Sequence, residues 1–189
     1  MTSMMPTGTV AHSPARGRAL TALGVAGFAA ALAAASRVAI PIPGTPVPLT
    51  LQPLVVVLAG LSLGPAAGAA SMLLYIAAGV AGLPVWAPMG LPGAARLLGP
   101  TGGYILAYPV AAFVAGWLAT RATSLATRSV AAVAGVVVLL LGGLAQLAIL
   151  TGSVTTAVAL GAHPFVALDV VKGVLAAVLA PRRVARGSP

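Results

Sequence analysis

Side chains that carry out chemistry are scarce in this sequence of 189 residues. There is no cysteine, which excludes disulfides, thiolate metal sites and cysteine nucleophiles. The one acidic side chain is Asp169, and the two histidines lie far apart, so neither a carboxylate pair nor a cluster of metal ligands is available. The only lysine, Lys172, follows a valine rather than a glycine, which excludes a P-loop and therefore ATP hydrolysis by this chain. These absences argue against an enzyme and against a resident metal or cofactor.

Charged side chains are also few. They make up 6% of the chain, whereas hydrophobic ones make up 60%, and the mean hydropathy is +1.09. A soluble domain is about one quarter charged, so this chain lacks the polar side chains to cover a surface in water. The net charge of +9 does not indicate nucleic-acid binding, because the basic residues lie between long apolar runs and at the two ends. The composition therefore predicts an all-α integral membrane protein in a lipid bilayer.

About six helices of roughly 20 residues each would fill most of this length. We predict a disordered cytoplasmic tail over 1–17, a six-helix membrane domain over 18–183 and a second cytoplasmic tail over 184–189. Arg16 and Arg18 before an apolar run also resemble the start of a signal peptide, but the run is long for one and five more apolar segments follow. We therefore favour an uncleaved first span. The predicted spans are 18–36, 50–64, 66–83, 102–120, 129–151 and 165–181.

Basic residues are unevenly distributed between the two sides of the predicted membrane domain. One side has Arg37 and Arg96, in the Pro-rich connections after spans 1 and 3. The other side has Arg16, Arg18, Arg121, Arg128, Arg182, Arg183 and Arg186. Because basic residues concentrate on the cytoplasmic side, this distribution predicts that both termini are cytoplasmic and that the two Pro-rich connections face outward.

Small residues form a regular row along span 1. Ala22, Ala26, Ala30 and Ala34 recur every four residues and therefore share one helical face. Faces of this kind allow two helices to approach closely in lipid. Two interpretations remain open: the row packs against other helices of this chain, or it docks another membrane protein.

Asp169 and Lys172 are the first candidates for a binding site. They lie three residues apart early in the last span, so they share a helical face and can form an ion pair. Ionisable side chains inside a membrane span are costly and usually face a cavity. A purely structural ion pair is the alternative, but a single pair in so apolar a protein favours recognition of a polar ligand.

Arg96 is the next candidate, in the outward connection before span 4. If that connection folds over the helices, Arg96 and Lys172 offer two cations to a carboxylate, which a guanidinium can bind bidentately. An ordinary interfacial arginine is the alternative. Trp86 and Tyr75 are candidate apolar walls or interface anchors, and Gln52 is a candidate at the pocket mouth. These residues favour binding and passage of a small molecule.

Several motifs along the chain resemble the BioY family, in the family's order and spacing. The likeness covers about residues 20–183 and closes with Pro164 and Phe165 ahead of Asp169 and Lys172. The other motifs are RVAIPIP at 37–43, VPLTLQ at 47–52, LAGLSLGP at 58–65, LYIAAGVAGLPVW at 74–86 and LGPTGGY at 98–104. Together they make the resemblance specific, which no single motif would.

BioY proteins are the biotin-binding membrane subunits, or S components, of energy-coupling-factor (ECF) transporters. The resemblance implies the six-helix S-component fold, a biotin pocket near the outer face and a place in a bacterial cell membrane. It also implies that Asp169, Lys172 and Arg96 bind biotin. In that hypothesis the two cations neutralise the carboxylate or polar end, while Asp169 accepts a ligand N–H or holds Lys172. Residues 85–89 read VWAPM, which departs from the family's usual Val-Phe-Ala followed by glycine or a small polar residue.

The resemblance implies partners as well. An ECF transmembrane coupling subunit with its two ATPase subunits would supply the missing P-loops and dock on the alanine row of span 1, and the S component would topple in the membrane to carry biotin inward. The alternative is a self-sufficient secondary carrier for biotin or another small carboxylate, coupled to protons through Asp169. An S component for a different vitamin and a membrane scaffold without a ligand are the remaining alternatives.

Overall fold

The computed structural model describes residues 14–181, most of which are helical. A short antiparallel hairpin between the first two helices pairs Ala39 with Thr50 and Ile40 with Leu49. The elements in chain order are α1 Pro14–Arg37, β1 Ala39–Ile40, β2 Leu49–Thr50, α2 Gln52–Leu63, α3 Pro65–Val80, a 3-10 helix Gly93–Leu98, α4 Gly102–Ala119, α5 Leu125–Thr151, α6 Val154–Gly161 and α7 Val166–Leu179.

Three helices of the described part, α1, α4 and α5, are long and apolar enough to cross a membrane. α6 and α7 together are also long and apolar enough for a span, but they bend by 55° at the break between them, as in a broken span or a re-entrant loop. α2 and α3 are apolar but shorter, at 12 and 16 residues. These apolar segments agree with the predicted helical membrane protein of six spans. The sequence analysis missed α6, because eight residues are too few to give a span-length apolar run.

α1 begins earlier than predicted. Residues 14–17, which we assigned to a disordered tail, form its first turn. Proline at the start of a helix has no backbone N–H that needs a partner, so Pro14 is compatible with this early start. The rest of the predicted N-terminal tail, 1–13, lies outside the described residues. So do 182–189, which include the predicted C-terminal tail and three of the arginines used to predict the orientation.

Two local signals fix how the helices are joined. Gly64, between α2 and α3, has φ 87° and ψ 177°, a conformation that glycine adopts readily. Pro65 then occupies the first helical position of α3. α5 starts with a capping box, in which the side chains of Ser124 and Thr127 each accept a hydrogen bond from the other's backbone N–H. Short connections of this kind place consecutive helices side by side.

α4 packs against α2, α3 and α5 and therefore lies in the middle of the bundle. Small residues bring the backbones of α2 and α4 together. A Cβ added at Gly60 would overlap the carbonyl of Ala112, and one added at Gly116 would lie 2.7 Å from the carbonyl oxygen of Gly60. In lipid, close packing of this kind holds helices together where the hydrophobic effect does not.

The alanine row of α1 faces away from the bundle. Ala22, Ala26, Ala30 and Ala34 are all exposed. Ala29, on the neighbouring row, is 9% exposed and packs in the core. The four alanines are therefore open to lipid or to a partner helix rather than buried among the described helices.

Candidate functional site

A cavity lies between the hairpin and the helices, with about 650 Å³ of space not filled by protein atoms, its open mouth included. Its walls come from the hairpin, α2, α3, the 3-10 helix, α4, α5 and α7. All the binding residues selected from the sequence line this one cavity: Gln52, Tyr75, Trp86, Arg96, Asp169 and Lys172. They come from distant parts of the chain, so the fold brings the candidates together.

Asp169 and Lys172 form an ion pair in the cavity wall. Lys172 Nζ donates to Asp169 Oδ1 at 2.7 Å, and the two side chains are only 12% and 10% exposed, respectively. The pair lies near the start of α7, just after the bend that follows α6. A carboxylate can accept, and an ammonium group donate, more hydrogen bonds than this one. The ion pair itself is what the spacing predicted, and both groups keep hydrogen-bonding capacity for a polar ligand.

Arg96 is positioned by the 3-10 helix and is 5% exposed. Its terminal nitrogens donate to the backbone carbonyls of Ala87 and Met89. The guanidinium therefore holds the connection between α3 and α4 in place, a role that the sequence analysis did not foresee. Its Nε is buried and has no hydrogen-bond partner among the described residues. Burial lowers the pKa of Arg96 from its ordinary value, although arginine stays charged in proteins.

Gln52 and Tyr75 are joined by a buried hydrogen bond. Gln52 Nε2 donates to the Tyr75 hydroxyl at 2.9 Å, and that hydroxyl donates to the carbonyl of Val85 at 3.2 Å. The same carbonyl accepts a hydrogen bond from Ser36 Oγ of α1 at 2.7 Å. The two candidate residues thus connect α2, α3 and the end of α1 at the cavity. Gln52 and Tyr75 are 7% and 1% exposed, so neither side chain projects from the outer surface of the bundle.

Trp86 forms an aromatic wall, as expected, and is 6% exposed. Its ring stands edge-on to that of Tyr75, with centroids 5.0 Å apart and an interplanar angle of 84°. Its Nε1 donates to the carbonyl of Gly93 in the 3-10 helix at 3.1 Å. The ring is therefore fixed between α3 and the 3-10 helix.

The sequence analysis missed several cavity residues on α4 and beside α7. Tyr104 and Tyr108 are four residues apart on α4, and Phe165 is four residues before Asp169. Positions four apart share a helical face, so this spacing was the signal that could have found them. The Tyr104 hydroxyl also donates to the carbonyl of Gly161 at 2.6 Å, which ties α4 to the bend after α6. Thr50, Thr101 and Leu139 line the cavity as well.

The charges in the cavity wall do not cancel. Asp169 supplies one negative charge, and Lys172 and Arg96 supply one positive charge each. The remainder of the wall is mainly aromatic and aliphatic, with hydroxyl and amide groups at a few points. An excess of one positive charge beside aromatic walls suits a small organic anion with a largely apolar body. Within residues 14–181, no group of three or more His, Asp or Glu side chains is placed to hold a metal ion.

Comparison with known proteins gives close relatives. Residues 9–188 match the BioY family. The chain is 43% identical over 137 residues to a protein of Pyrococcus horikoshii named as a probable biotin transporter BioY, covering 72% of this chain and 80% of that protein. It is 38% identical over 143 residues to the biotin transporter BioY of Thermotoga maritima, covering 76% of this chain and 84% of that one.

A solved structure is similar over nearly the whole chain. It is the S component for biotin from an ECF-type ABC transporter, which this structure matches with a TM-score of 0.80 and 27% sequence identity. The match covers 89% of this chain and 92% of the other. The fold predicted from the resemblance in sequence is therefore confirmed.

Proposed function

This chain belongs to the BioY family, and on that premise we propose that it is a membrane subunit that binds biotin in the cavity and mediates its uptake. One observation carries the proposal: Asp169, Lys172 and Arg96 meet in a single cavity with aromatic walls and an excess of one positive charge. The named functions of the relatives from Pyrococcus horikoshii and Thermotoga maritima support biotin as the ligand.

The chemistry of biotin suits this cavity. Biotin has a carboxylate on an aliphatic chain and a bicyclic ring whose ureido group carries two N–H donors. Lys172 and Arg96 neutralise the anion or bind the polar end, and Asp169 accepts a ligand N–H or positions Lys172. The aromatic residues Trp86 and Tyr108 contact the apolar parts. Charge-assisted hydrogen bonds in a site with little water are among the stronger polar contacts available to a ligand.

The energy for uptake comes, in this proposal, from an ECF transmembrane coupling subunit with two ATPase subunits. Two observations support it: the chain has no P-loop of its own, and its fold matches an S component of an ECF-type transporter. The docking face is the row Ala22, Ala26, Ala30 and Ala34, which is exposed on α1. Small side chains at this spacing allow a partner helix to approach closely in lipid.

Both termini lie in the cytoplasm of a bacterial cell in this proposal. The distribution of basic residues supports it, since Arg121 and Arg128 lie in or next to the connection between α4 and α5. Arg128 also donates to the carbonyl of Ala180, just after α7, so this connection and the end of α7 are at the same end of the bundle. The cavity then opens toward the outside, through the Pro-rich connections.

Equilibrium binding of biotin to the purified chain in detergent tests the proposal, with thiamin and riboflavin as controls. Selective binding of biotin without any partner protein is the expected result. Binding of none of the three would contradict the proposed function. Uptake into liposomes that contain this chain alone, driven by a proton gradient, would instead support a self-sufficient carrier.

A further inference from the structure

Gly79 of α3 leaves the space in which the ring of Trp86 lies. A Cβ added at Gly79 would overlap the indole atoms Cε2, Cζ2 and Cη2. Gly79 is buried within the helix and does not have a positive φ, so the backbone conformation does not require a glycine there. Glycine is required at position 79 because the indole ring of Trp86 leaves no space for a side chain.

The ring of Trp86 is held by contacts on two sides and lines the cavity on another. Tyr75 stands against it on the α3 side, with ring centroids 5.0 Å apart. The carbonyl of Gly93 accepts its N–H at 3.1 Å from the 3-10 helix. The cavity, which Trp86 also lines, is the open space beside the ring. A methyl group at position 79 therefore displaces the ring toward the space that a ligand would occupy.

We propose that Gly79, acting through Trp86, sets the width of the cavity and hence how tightly the ring system of the bound ligand can fit. Gly79 does not itself line the cavity, so it is a positioning residue. The inference rests on the proposed function, because the ligand whose fit it controls is the biotin bound there.

A cycle of variants tests this inference by equilibrium biotin binding in detergent. It compares the wild type with Gly79→Ala, Trp86→Phe and the double variant. Phenylalanine lacks the indole atoms Cζ2 and Cη2, two of the three that lie over Gly79, so it relieves most of the overlap. Gly27→Ala is the matched control, because Gly27 is also helical and a Cβ there meets nothing within 4 Å. The melting temperature without ligand is measured for every variant.

Gly79→Ala is expected to weaken biotin binding at least tenfold, whereas Gly27→Ala leaves it unchanged. Trp86→Phe alone is expected to cost two- to threefold, and the double variant to bind within threefold of Trp86→Phe. This rescue shows that the loss of affinity acts through the ring of Trp86, and an unchanged melting temperature of Gly79→Ala separates positioning of the ring from a loss of stability. If Gly79→Ala cannot be purified but the double variant can, the contact with the Trp86 ring is supported, and a tenfold loss of affinity relative to Trp86→Phe still overturns the inference.

Two results would overturn the inference: wild-type affinity in Gly79→Ala, or a tenfold loss when Gly79→Ala is added to Trp86→Phe. Failure of the wild type to bind biotin is a different result, and it would contradict the proposed function itself. The same experiment therefore distinguishes failure of the inference about Gly79 from failure of the proposed function.

Discussion

Replacing Lys172 with alanine removes the cation closest to the one carboxylate of the cavity. In the folded chain the two groups are 2.7 Å apart and the lysine side chain is 12% exposed, so water screens their interaction little. A hydrogen bond to a charged group contributes about 1.5–3 kcal/mol. Since about 1.4 kcal/mol corresponds to a tenfold change in affinity, losing the proposed contact between Lys172 and biotin is expected to lower the affinity about ten- to hundredfold.

The same substitution leaves Asp169 buried without its partner, which is also expected to destabilise the protein. The assay therefore has two parts: titration of the purified variant with biotin, and thermal unfolding in detergent without biotin. Arg121→Ala is a suitable control, because Arg121 is an exposed cation that lies outside the cavity and stacks on Trp117 at 4.5 Å. It should change neither biotin affinity nor selectivity.

The double variant Asp169→Asn, Lys172→Met separates the two effects. It removes both charges, so no unpaired ion remains and stability should recover, while biotin binding stays weak. If Lys172→Ala binds biotin as tightly as the wild type, the assignment of this pair to the ligand is refuted. If the double variant regains both stability and affinity, the pair is structural and the ligand is held elsewhere.

The other predictions concern the proposed coupling subunit, the bend after α6 and the connection between α3 and α4. Leucine at both Ala26 and Ala30 should prevent co-purification with the ECF coupling subunit and leave biotin affinity intact; lost affinity would mean that this face supports the cavity. Tyr104→Phe removes the hydrogen bond to Gly161 and should lower the free energy of unfolding by about 0.5–1.5 kcal/mol, and an unchanged denaturation midpoint would count against that role. Lysine at position 96 cannot reproduce the guanidinium's fork of donors. In Arg96→Lys, biotin affinity should therefore fall about tenfold, and the connection between α3 and α4 should become more sensitive to protease. Wild-type behaviour in both assays would contradict the two roles of Arg96.

Hydropathy alone predicted most of the membrane segments, because a lipid environment requires long apolar runs and few charges. It failed where the run was interrupted. α6 is eight residues long and is separated from α7 by a bend that contains His163 and Pro164, so only the second half of that span was recognised. The start of α1 was placed too late, since the polar residues before Ala19 gave no apolar signal although they are helical from Pro14.

The cavity was predictable where rare residues identified it. A single Asp three residues before a single Lys in an apolar chain is conspicuous, and the structure places both in the cavity wall. The second role of Arg96 was not predictable, because it depends on where the carbonyls of Ala87 and Met89 point once the connection has folded. Tyr104 and Tyr108 were overlooked since aromatic residues in a membrane helix usually indicate an interface rather than a pocket.

The unequal charges of the cavity wall have an electrical consequence. With Asp169 ionised, Lys172 and Arg96 leave the empty site with one positive charge, and a bound carboxylate brings that sum to zero. A charge that crosses the bilayer exchanges about 2.3 kcal/mol with the membrane potential for every 100 mV. If the site moves across the bilayer with the protein, the return of the empty subunit moves one positive charge more than the inward passage of the loaded one, so we expect voltage to act differently on the two steps.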